Sequence, residues 1–142
     1  MKLHTPLSAF LFISFICCSN ALADNYIAFL QYSNPDGLNL FVFQMDVPNK
    51  RECHALNENH WIGAKTTCPN CKIKDSGCLS KLPGSYVGIA NNSPIIFPYL
   101  SWQKDRIVFL GIPMPNAVQI CKNMTREYQN KLNRQAICVL PN

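Results

Sequence analysis

The stretch Tyr26-Ile27-Ala28-Phe29-Leu30-Gln31-Tyr32-Ser33-Asn34-Pro35-Asp36-Gly37-Leu38-Asn39-Leu40-Phe41-Val42-Phe43-Gln44-Met45 decides the fold. Two runs rich in β-branched and aromatic residues flank Ser33-Asn34-Pro35-Asp36-Gly37, where proline presets a turn dihedral and glycine accepts positive φ. That is a β-hairpin. Its second run puts Leu38, Leu40 and Val42 on one face and Phe41, Phe43 and Met45 on the other, so neither face reads as open to water. The strand is expected to be central and covered on both sides, by helices, by a second sheet or by another copy of the chain.

Downstream, Pro48-Asn49-Lys50-Arg51-Glu52 carries a helix start, with Asn49 as the cap and Glu52 three residues on to complete a capping box. A short helix is predicted from about Lys50 to Asn59. The same grammar returns at Pro115-Asn116-Ala117-Val118-Gln119, predicting a longer helix from an Asn116 cap to about Asn133. Its residues Cys121, Met124, Tyr128 and Leu132 recur at spacings of three and four and form one core-facing apolar stripe.

The two helix starts prompt a comparison of the chain with itself. An ungapped shift of 68 residues superposes Ile27 on Ile95, Phe29 on Phe97, Ser33 on Ser101, Phe41 on Phe109 and Cys53 on Cys121. The chain then divides into two related units, about 24-83 and 84-142, each running strand, turn, strand, capped helix and a return bearing a cysteine. In the second unit the hairpin turn falls at Gln103-Lys104-Asp105-Arg106. The predicted fold is α+β: a mainly antiparallel sheet built from two related hairpin-helix halves, with helices packed on one face and disulfides fixing their ends.

Residues 1-23 have the three parts of a secretory leader: a basic start at Lys2, an apolar core from Leu7 to Cys18, and small residues at Ala21-Leu22-Ala23. The apolar core is about a dozen residues, short of the roughly 20 that span a bilayer. Cleavage would leave a single domain, 24-142, without a membrane anchor, in the periplasm or outside the cell. Cys17 and Cys18 leave with the leader, and Cys53, Cys68, Cys71, Cys78, Cys121 and Cys138 remain, an even number that suggests disulfides in an oxidising compartment. The repeat favours Cys53 with Cys78 and Cys121 with Cys138, which leaves Cys68 and Cys71 for each other.

The charge balance bounds the partners. The chain has 13 basic and 8 acidic side chains, mildly basic, and no aromatics interleave with its lysines, which argues against nucleic acid. Trp61, Lys65, Lys72 and Lys74 mark a possible binding loop, with the lysines suited to an anionic envelope or extracellular surface and Trp61 to a protein partner. Lone Asn-x-Ser/Thr patterns at Asn91 and Asn123 matter only in a eukaryotic secretory pathway.

Catalytic signals are thin. Cys68-Pro69-Asn70-Cys71 has thiol-disulfide spacing, but its flanks read as a loop rather than the start of a helix. Cys68, Cys71 and Cys78 with His54 or His60 could form a zinc site, yet a second knuckle is missing. No Gly-x-Ser-x-Gly or phosphate-loop motif occurs, and His54 and His60, six apart, need not share a face. No cofactor is expected. The reading reached by elimination is a non-enzymatic exported module that binds another macromolecule or assists an assembly, with a redox protein or a metal-binding module at Cys68 and Cys71 as the competing classes.

Overall fold

The computed structural model describes residues 25–132 and 135–142; the leader lies outside them. The chain forms β1 (Tyr26–Ser33), β2 (Asn39–Val47), α1 (Lys50–Thr67), β3 (Lys72–Leu79), a 3-10 helix (Gly84–Asn91), β4 (Tyr99–Trp102), β5 (Asp105–Leu110), α2 (Met114–Leu132) and β6 (Ala136–Val139). One six-stranded sheet runs in the order β3-β1-β2-β5-β4-β6, every neighbouring pair antiparallel. The fold is α+β, as expected.

The hairpin forms where the sequence places it. Gly37 takes φ 89°, the positive dihedral for which it was singled out, and the Asn34 side chain closes the turn by accepting from the Leu38 amide at 2.9 Å. Cross-strand register then sorts every side chain. Leu30, Val42, Ile107, Leu100 and Cys138 lie opposite one another across five strands and face the helices. On this face α1 covers β1 and β3, while α2 covers β4, β5 and β6. The other face carries Ile27, Phe43, Tyr99 and Val108, all buried under the segment that includes the 3-10 helix, with Ile89 fully enclosed. Both faces of β2 are therefore covered by the chain itself.

A buried arginine holds that covering segment down. Arg106 donates from Nε to the Ile89 carbonyl at 2.8 Å and from one terminal nitrogen to the carbonyls of Gln103 and Asp105, each at 2.8 Å. Tyr99 donates its hydroxyl to the Ser93 carbonyl and Ser101 bonds the Asn92 side chain, so the sheet grips the crossing segment at several points.

Several expectations need correction. The helix predicted to stop near Asn59 continues to Thr67, because Gly63 is followed by Ala64 and no proline intervenes before Pro69. The Asn116 cap does not form: Asn116 lies inside α2, its amide bonding the Pro113 carbonyl, and Gln119 bonds Asn123 instead. Asp105 and Arg106, read as turn, open β5, leaving Gln103 at φ 48° in the turn. The basic stretch after Cys71, read as a loop, is the edge strand β3. An ungapped shift of 68 also fails through the second hairpin strand, since Phe41 packs on the 3-10 side and Phe109 on the α2 side. A one-residue slip exchanges faces. In each half of the chain the order is nevertheless strand, strand, helix, strand, with the third strand outside the first.

Candidate functional site

Helix α1 presents two adjacent stripes. Cys53, Asn57 and Ala64 are buried, with Leu56 and His60 half-buried beside them. The neighbouring stripe, His54, Asn57, Glu58, Trp61, Ile62 and Lys65, follows the three- and four-residue spacing of one helix face and runs along the sheet edge at β3. There His54, Asn57, Glu58, Trp61 and Ile62 join Ser76 and Gly77 of β3 around an open groove of about 520 Å³.

The groove combines large exposed apolar groups with one buried polar atom. Trp61 is 43% and Ile62 58% exposed, on a helix whose one other large apolar residue, Leu56, is half-buried. Asn57 is 7% exposed, and its amide nitrogen donates to the Gly77 carbonyl at 2.5 Å. That bond fixes which way the amide points, because only nitrogen can donate to a carbonyl. Asn57 Oδ1 is consequently a buried acceptor without a partner in the protein. Such an atom costs free energy unless something donates to it.

The residues singled out from sequence are only partly gathered here. Trp61 lies in the groove, and the Lys65 ammonium stands 5.0 Å over its ring, a cation–π pair at i,i+4 spacing. Lys72 and Lys74 lie on β3, outside the groove lining, so the four residues do not form one loop. His54, Asn57, Glu58, Ile62, Ser76 and Gly77 carried no separate sequence signal as a group. Helical spacing from Trp61 would have reached His54, Asn57 and Glu58, and from Glu58 Ile62, whereas Ser76 and Gly77 join only through tertiary packing.

The cysteines pair as the spacing favoured: Cys53 with Cys78, Cys68 with Cys71, and Cys121 with Cys138. Cys53–Cys78 and Cys121–Cys138 each tie a helix to the outer strand that follows it. Cys68 caps the C-terminal end of α1, its amide bonding the Ala64 carbonyl. That end carries the negative half of the helix dipole and disfavours a thiolate, the reverse of the environment that activates a redox pair. Cys78 is bonded elsewhere, so Cys68, Cys71 and Cys78 do not assemble as thiolate ligands. Among the described residues no three His, Cys, Asp or Glu side chains converge as a metal site.

The two histidines part company. His54 lines the groove, while His60 turns inward to a second cleft between the helices, with Tyr32, Asp105 and Tyr128. Burial holds the His60 imidazole below its ordinary 6.5, and the Asp105 carboxylate opposes that shift. Burial, with Tyr128 nearby, raises the Tyr32 hydroxyl.

No family model, no curated protein and no solved structure matches this chain. No helix among the described residues is long and apolar enough to cross a membrane.

Proposed function

We propose that the chain is exported with residues 1-23 removed and serves as a non-enzymatic binding or assembly module of the cell envelope or extracellular space, holding another macromolecule in the groove between α1 and β3. The observation that carries this reading is that Trp61 and Ile62 stand exposed side by side on the wall of a groove lined also by His54, Glu58 and Ser76. Aromatic anchors around a few directed polar groups are the usual anatomy of a binding site. Three disulfides suit an oxidising destination, and two of them, Cys53–Cys78 and Cys68–Cys71, tie down the helix that bears the groove.

Immobilised envelope and secreted material from the producing cells tests the reading. The domain is expected to be retained, and the double variant Trp61→Ala, Ile62→Ala to lose at least tenfold in retention while keeping its circular dichroism spectrum. Equal retention of the folded variant would remove the groove from the function.

A further inference from the structure

Resting on the groove as the binding site, we propose that its occupant is a second copy of this chain, packed antiparallel along α1 about a two-fold axis that passes between Trp61 and Ile62. Glu58, Trp61, Ile62 and Lys65 follow the three- and four-residue spacing that places all four on one face of the helix. The order along that face is acid, apolar, apolar, base. Laid antiparallel on itself, it brings Trp61 of each copy against Ile62 of the other, and Glu58 of each opposite Lys65 of the other. The same patch then serves both partners, as a two-fold interface requires. A parallel pairing would instead set Glu58 against Glu58 and Lys65 against Lys65.

Both charges are placed for this contact. Glu58 and Lys65 are exposed and two helical turns apart, beyond the one-turn spacing at which ion pairs form within a helix. Among the described residues Glu58 forms no ion pair. The Lys65 ammonium, 5.0 Å over the Trp61 ring, is held on the stripe where the Glu58 carboxylate of the other copy arrives. The pairing also takes Trp61 and Ile62, 43% and 58% exposed in a lone copy, out of water. Other occupants fit less well. A strongly anionic surface would meet Glu58 and a cationic one Lys65, whereas a stripe carrying one acid and one base complements its own reverse. A strand added to the outer edge of β3 would meet Lys72 and Lys74, exposed there, a charged pattern that discourages strand pairing. One helix face and its neighbouring strand make a small interface, so the dimer is reversible.

Sedimentation velocity of the disulfide-bonded protein over a concentration series is expected to show a reversible monomer–dimer equilibrium in the micromolar range. Glu58→Lys and Lys65→Glu each set like charges opposite one another at both ends of the contact, and each should weaken self-association at least tenfold. Mixed in equal amounts, the two variants regain both opposite-charge contacts and should form a heterodimer within a fewfold of the wild-type affinity. The mixture keeps the test independent of folding, because only two folded variants can restore each other. Absence of a dimer, a dimer that neither variant weakens, or a mixture that fails to restore association overturns the proposal. If no dimer forms while envelope material is still retained through Trp61 and Ile62, the second copy falls and the groove stands with another occupant. If retention fails as well, the site itself is wrong.

Discussion

Arg106 and His60 show how much of this molecule rests on single polar side chains. Arg106 is 6% exposed and donates to the carbonyls of Ile89, Gln103 and Asp105, joining the 3-10 segment to the β4-β5 turn. Arg106→Met removes all three bonds and leaves the Ile89 carbonyl with only the long 3.4 Å bond from the Asn92 amide, a change expected to cost about 3 kcal/mol in urea unfolding. A loss under about 1 kcal/mol would mean that apolar packing and the Tyr99 and Ser101 hydrogen bonds hold the crossing segment without the arginine. His60 predicts a pH dependence. Its folded-state affinity for protons is lowered, so the unfolded chain takes up the proton first, and stability present above pH 6.5 declines as the pH falls through that value. Asp105 of β5 opposes this, and burial raises the Tyr32 hydroxyl facing the same cleft, so it stays neutral throughout that range. His60→Gln should flatten the decline in urea midpoint between pH 7.5 and pH 5; an unchanged slope would assign it to other groups. Neither role was legible in the sequence, because a lone histidine or arginine has no periodicity to betray what it touches.

At the level of elements, local grammar was read well and its limits were physical. The Asn34-Pro35-Asp36-Gly37 turn and the Asn49 cap depend on neighbours within a few residues, and both form, the Asn49 side chain accepting from the Glu52 amide at 2.9 Å. The Asn116 cap fails although its letters are similar, since Pro113 already starts the helix. β3 was missed for another reason: Lys72, Lys74 and Asp75 are exposed on a sheet edge, where an apolar alternation is not required. The groove inherits this blindness, for one of its walls is that strand. The disulfides staple these elements unequally. Loop-closure entropy gives about 3.5 kcal/mol for Cys53–Cys78, about 3 for Cys121–Cys138 and about 1.6 for Cys68–Cys71. Paired alanine replacements should lower stability in that order, measured by urea unfolding. If removing Cys68–Cys71 proved the most damaging, the turn would be holding more than its own ends.

Taken whole, the molecule is a sheet whose two faces are closed by its own chain and whose apolar exposure is concentrated at a few points. The helices close one face and the 3-10 segment the other, so β2, with its two apolar faces, needs no second copy of the chain to cover it. Of the large apolar side chains left exposed among the described residues, Trp61 and Ile62 line a groove, on the α1 stripe beside β3. Photo-crosslinking in the producing cells tests this most directly, with a benzophenone amino acid placed at Ile62 and, as a control, at Ile137, which is exposed on the opposite edge strand. The account predicts a discrete adduct from position 62 that disappears when Trp61→Ala is added, and none from position 137. No adduct at 62, or the same adduct from both positions, would contradict it.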